Sequence, residues 1–122
     1  MIHKNINSLQ KLFSSHVLLY HSTFSVVPNE IKEGLHNIHP EVLFNQITWY
    51  KKYFDIMKVD DLFESVDKRG KMAITFDDGY LSVINEAIPI LKELNVPSTI
   101  FLNGCSMNGR IFWRDKIRYI IN

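Results

Sequence analysis

A chain of 122 residues with 46% apolar content is one small domain or part of a larger one, with enough apolar side chains for a core, which excludes a disordered tail. Its 14 basic and 13 acidic residues are dispersed and leave a net charge of +1, so nothing draws it to nucleic acid. No run approaches the roughly 20 apolar residues that span a bilayer, residues 1–15 lack the apolar stretch of a signal peptide, and Cys105 has no second cysteine to pair with, so a soluble, cytoplasmic chain is expected.

Along the chain, Ile6, Leu9, Leu12 and Phe13 fit a short amphipathic helix. Val17 to Tyr20 form an apolar run with β-branched and aromatic members, read as the first strand, and it ends at His21. If this strand runs parallel to a central strand at Met72 to Phe76, His21 emerges at the same rim as the residues after Phe76. A histidine bonded to backbone is the equal alternative. Residues 24–39 show no clear period and read as a long connection, in which His36 and His39 are taken as solvated rather than as a ligand pair. From Pro40 the pattern is helical, with Val42, Leu43, Ile47, Tyr50 and Phe54 on one face and Trp49 and Tyr53 widening it. Ile56 to Val59 read as a short second strand, with Asp60 or Asp61 capping a brief helix through Val66.

Met72 to Phe76 carry no charge and read as a strand buried on both faces, as in a parallel sheet. Asp77, Asp78 and Gly79 come directly after it. Adjacent side chains of an extended strand diverge, so both carboxylates reach one pocket only if the backbone turns, and Gly79 allows that turn. A helix cap accounts for one aspartate and leaves the other, because two close carboxylates repel unless a cation lies between them. Parallel α/β sheets place their sites at the carboxyl ends of strands, where this pair stands. Ile84, Ala87, Ile88, Leu91 and Leu94 then match a helix that Pro89 is expected to break near Ala87. Ser98 to Leu102 read as the next parallel strand, delivering Asn103 to the rim, with Gly104 beginning a turn. Trp113, Ile117, Ile120 and Ile121 start a last amphipathic helix. Strands alternating with helices indicate a parallel α/β fold.

Thr75, Phe76, Asp77, Asp78, Gly79 and Tyr80 resemble the first motif of the polysaccharide deacetylase (NodB-homology) family, carbohydrate esterase family four. Leu18 to His21 resemble its first strand, Ile88 to Leu91 with Val96 to Phe101 resemble the family's next segment after the motif, and Phe112 to Asp115 resemble a helical insertion of some members. The resemblance implies the first part of a distorted (β/α) barrel. It also implies that Asp77 is the general base and Asp78 a metal ligand, with His21, Tyr80 and Asn103 at the rim or near substrate. The implied substrate is an N-acetylated sugar of a glycan or glycolipid. The implied cofactor is a divalent metal, expected to be zinc, in a full-length parent, with none held tightly by this chain.

In that family two histidines of a later His-x-x-x-His motif complete the metal site, and no histidine occurs after His39 here. The 122 residues are therefore expected to be the N-terminal portion of a longer deacetylase-like domain, inactive alone and prone to self-association through uncovered sheet edges. Two other readings stand beside it. One is a non-catalytic module that binds carbohydrate or a partner chain. The other is a phosphoryl-transfer enzyme, although that class separates its aspartates by one residue so that they share a face.

Overall fold

The computed structural model describes residues 15–121. The expected helix at Ile6 to Phe13 lies outside them. Four parallel strands form one sheet: β1 (His16–Tyr20), β2 (Asp55–Met57), β3 (Lys71–Phe76) and β4 (Thr99–Ile100). β3 is the hub. β1 runs along its one edge in the register Tyr20 opposite Phe76, while its other edge is shared by β2 at Lys71–Ala73 and β4 at Thr75–Phe76. This is the parallel α/β arrangement that the alternating pattern implied.

Uncharged Met72–Phe76 has this central place because each of its residues is buried, leaving neither face to water. Ile74 and Phe76 pack under Leu43 and Ile47 of helix α1 (Pro40–Tyr50) and under Val83, Ala87 and Leu91 of the segment after the Asp motif. Ala73 packs with Val59 and Leu62 of α2 (Val59–Glu64) in a smaller cluster. Burying one such aliphatic or aromatic side chain is worth about 1.5–3 kcal/mol, so the strand and its helices order together. Thr75, the polar residue of the run, donates its hydroxyl to the Leu18 carbonyl at 2.9 Å and so carries no unpaired group into the core.

Several boundaries differ from those expected of the sequence. The second strand is Asp55–Met57, and Val59 already begins α2, whose cap position is Lys58. Asp60 and Asp61 lie in the first turn rather than at the cap, where their charge still opposes the helix dipole. The helix after the motif does not break at Ala87. It passes through a π-helical turn, Val83–Ala87, into α3 (Ile88–Glu93), with the Ile88 amide bonded to the Val83 carbonyl. The wider turn shifts the hydrogen-bond register just ahead of Pro89, which has no N–H and would crowd an α-helical neighbour. β4 ends at Ile100 rather than Leu102, because β3 ends at Phe76: the Phe101 amide takes the Phe76 carbonyl at 2.8 Å and no strand lies beyond. On α1, Val42 and Trp49 are about half exposed, so the buried face is narrower than expected, and Phe54 falls past the helix end. Residues 24–39 form a connection with a single 3-10 turn, Asn29–Ile31, anchored by a bridge between Ser22 and Asn37. Two helices come after β4: the short α4 (Gly104–Met107), where only a turn was expected, and α5 (Trp113–Ile121), as expected.

Candidate active site

Parallel register brings the carboxyl ends of β1, β3 and β4 to one rim, as Tyr20, Phe76 and Ile100 lie side by side. One more rung extends past the strands: the Asp77 amide donates to the Tyr20 carbonyl at 2.9 Å. There the backbone reverses. Asp78 has φ +70° and Gly79 φ +68°, so the turn needs two successive left-handed residues, one of them a residue with a side chain. An aspartate held in that region costs roughly 1–3 kcal/mol, a cost seen mostly where surrounding structure fixes the residue for a task. Asn103, at the cap position of α4, donates its amide to Asp78 Oδ1 at 2.9 Å. The positive φ calls for Gly79, and a Cβ there would also stand 2.7 Å from Leu102 Cδ2, the end of an exposed side chain that can move.

The two aspartates have different surroundings. Asp77 is half-buried, and its carboxylate accepts no hydrogen bond from the described residues. Asp78 lines a small polar pocket with His21, Leu35, His36, Tyr80, Arg114 and Arg118. Its volume of about 10 Å³ is about the room that one water molecule needs. The rings of His21 and His36 meet edge to face at 5.0 Å. A larger groove of about 370 Å³ adjoins it, sharing both histidines and running between β1 and α1.

Behind the pocket, the Tyr80 hydroxyl donates to Asp115 Oδ1 at 2.8 Å and accepts from Arg118 Nη1 at 3.0 Å. Burial, then the bond to the Asp115 carboxylate, pushes the Tyr80 phenol above its ordinary range, so it is a neutral donor at any physiological pH. Burial, the largest single influence on the Arg118 guanidinium, pulls it downward, but the hydrogen bonds and charges of Asp115 and Tyr80 together outweigh it and the net shift is upward.

His21, Asp78 and Tyr80 thus share one pocket, and Asn103 reaches it through Asp78. Asp77 shares the turn but does not line that pocket. Sequence reasoning missed His36, which the fold brings against His21, and it missed Arg118 and Asp115, whose bonds to Tyr80 span 38 and 35 residues and leave no local signature. His39 does not join His36: its Nδ1 accepts the Glu41 amide at 3.3 Å and caps α1. Among the described residues no three His, Cys, Asp or Glu side chains converge to hold a metal ion. A catalytic zinc takes three protein ligands, so these residues do not by themselves form such a centre, and Asp78 offers one oxygen.

A parallel α/β sheet with an acidic turn at the carboxyl end of its central strand defines the class. The polysaccharide deacetylase family model matches residues 64–118, the stretch that carries this turn. Similar solved structures include a de-N-acetylase from Aggregatibacter actinomycetemcomitans, 26% identical with a TM-score of 0.56, covering 72% of this chain and 37% of that one. IcaB from Ammonifex degensii is 25% identical with a TM-score of 0.60, covering 73% of this chain and 38% of its own. Streptococcus pyogenes deacetylase PplD, solved with acetate, is 17% identical with a TM-score of 0.65 over 89% of this chain and 53% of that one, a likeness of fold. No curated protein sequence matches. The resemblance to polysaccharide deacetylases is thereby borne out, by the model match over residues 64–118 and by the fold, and the chain spans 37% and 38% of the length of the de-N-acetylase and IcaB structures.

Proposed function

We propose that this chain supplies the Asp-bearing N-terminal portion of a carbohydrate N-deacetylase domain, acting on the N-acetyl group of a sugar in a glycan or glycolipid. The observation that carries it is the strained Asp78–Gly79 turn at the carboxyl end of β3. It splits the Asp pair into one carboxylate fixed by Asn103 and one left without a donor among the described residues. In this reading Asp77 is the base that takes a proton from the attacking water, while Asp78 is one ligand of a divalent metal, expected to be zinc. The metal's other ligands lie outside the described residues. Hydrolysis adds water to the amide carbonyl, breaks the C–N bond and releases acetate and a protonated amine. The acid that protonates the amine is not assigned to this chain, and Tyr80 and His21 are proposed to line the substrate side of the rim.

The test is acetate release from an N-acetylglucosamine oligomer by a longer protein containing these residues, with Asp77→Asn and Asp78→Asn compared for activity and metal content. Full activity in Asp77→Asn overturns the role given to it. A second reading, a module that binds carbohydrate without cleaving it, is favoured by the lack of a three-donor group among the described residues. Binding of the same oligomer by the longer protein, with no acetate released under any metal, selects that reading.

A further inference from the structure

We infer that Arg118 is a positioning residue of the rim pocket: through Tyr80 it holds the Asp78 turn and the 33–35 segment of the connecting loop at a fixed separation. The functional meaning of this rests on the deacetylase reading. One guanidinium joins three stretches that are remote in sequence. Nε donates to the Glu33 carbonyl at 3.1 Å and Nη2 to the Gly34 carbonyl at 3.0 Å. Nη1 donates to the Tyr80 hydroxyl at 3.0 Å and to Asp115 Oδ1 at 2.6 Å. Leu35, next to the Gly34 anchor, and Tyr80 itself are walls of the pocket that Asp78 enters. The two walls belong to different elements, and Arg118 ties them together.

The chemistry explains why this is an arginine. A planar fork with donors on three nitrogens satisfies two carbonyls on one side while its third nitrogen meets a hydroxyl and a carboxylate. A lysine carries a single ammonium and cannot span those directions. The Arg118–Asp115 side chains are only 14% and 15% exposed, so the pair gives up much of its hydration. Such a pair is weak support for stability, because well-packed apolar side chains of the same volume often do as well or better, and what it secures is a specific arrangement. Asp115 has a second part in this, since its Oδ1 accepts from both Arg118 and Tyr80 and thereby orients the phenol toward the guanidinium. Tyr80 is joined directly to Gly79, so an anchored phenol limits how far the turn at Asp78 can move.

The experiment compares backbone amide shifts and order parameters of the ¹⁵N-labelled 122-residue chain with those of Arg118→Lys and Tyr80→Phe. In Arg118→Lys, the amides of Gly34 and Leu35 and those of Gly79 and residue 80 are expected to shift and lose order together, while Ala73 to Thr75 stay unchanged. In Tyr80→Phe, Gly79 is expected to respond while Gly34 keeps its order, because the carbonyl bonds remain. If Gly79 is unmoved in Tyr80→Phe, the turn is held without the phenol and the inference fails, even where Arg118→Lys does not fold. These readouts use no activity, so they stand apart from the deacetylase reading. In a longer protein that releases acetate, Arg118→Lys is expected to lower kcat about tenfold with KM within twofold, as misplacement of a reacting group does. An unchanged kcat would count against a positioning role.

Discussion

Asn103 Nδ2 lies 2.9 Å from Asp78 Oδ1, so a residue just past β4 holds a carboxylate just past β3, in a backbone conformation aspartate rarely adopts. Because the bond joins two strand ends, its loss acts on the turn rather than on the sheet. Asn103→Ala is expected to cost about 1–2 kcal/mol, the range for a hydrogen bond to a charged group in a partly exposed setting, read from denaturant unfolding. Asn103→Asp is expected to cost more than Asn103→Ala, since two carboxylates then face each other. An equal cost in the two variants would show that the two side chains do not meet.

Gly79 meets two separate demands, and they can be separated. Gly79→Ala pays for a left-handed conformation and for contact with Leu102 Cδ2. Leu102 is largely exposed and can turn aside, so the backbone component, roughly 1–2 kcal/mol, is expected to dominate. Gly79→Ala combined with Leu102→Ala should therefore remain nearly as destabilised as Gly79→Ala alone. Full recovery in the double variant would assign the cost to the side-chain clash.

Tyr20 supplies a pH dependence. Burial, then the neighbouring Tyr50, pushes its phenol up to about 12, and its hydroxyl donates to Gln46 Oε1 at 2.9 Å. The folded pKa is raised, so the folded chain keeps a proton that the unfolded chain loses near pH 10. That contribution is complete below pH 10 and is lost as pH rises from 10 through about 12. Thermal melts should fall over this window, and less steeply in Tyr20→Phe. A phenolate absorbance titration in which Tyr20→Phe removes amplitude at pH 10 would contradict the shift.

For the longer protein, Asp77→Asn is expected to reduce acetate release roughly 100-fold or more with metal retained, the range for a positioned base. Asp78→Asn should lose metal, and a chelator should abolish activity reversibly. The 122-residue chain alone is expected to release negligible acetate and to bind divalent metal weakly, because its described residues do not gather three ligands. Tight stoichiometric zinc on this chain would overturn that ligand assignment.

Self-association is expected at the β1 edge. β1 pairs with β3 alone among the described strands, and Val17 and Leu19 along it are about half exposed. An edge strand with exposed apolar side chains is a template for pairing. Light scattering should show association of the chain, reduced by Leu19→Lys. A monomer at all concentrations, with a sharp cooperative melt, would remove the expectation.

The local framework of the rim was determined by the sequence itself. An uncharged run from Met72 to Phe76 has no stable place except inside a sheet, two aspartates directly after it must stand at its carboxyl end, and a glycine after them marks a turn. The helices at Pro40 and Trp113 were legible for the same reason, since periodicity and a first-turn proline are properties of neighbouring residues. Tertiary structure decided the remainder. The length of β4 depends on where β3 ends, and the π-turn before Pro89 depends on keeping Val83, Ala87 and Leu91 against the same core. The pairing of His36 with His21, and the bonds from Arg118 to residues 33, 34 and 80, join groups separated by 15 to 85 residues, for which no repeat or spacing in the chain is a guide. Hydrogen bonds between distant elements form only once the packed sheet has fixed those elements, so sequence pattern locates the aspartates but not the groups that hold them.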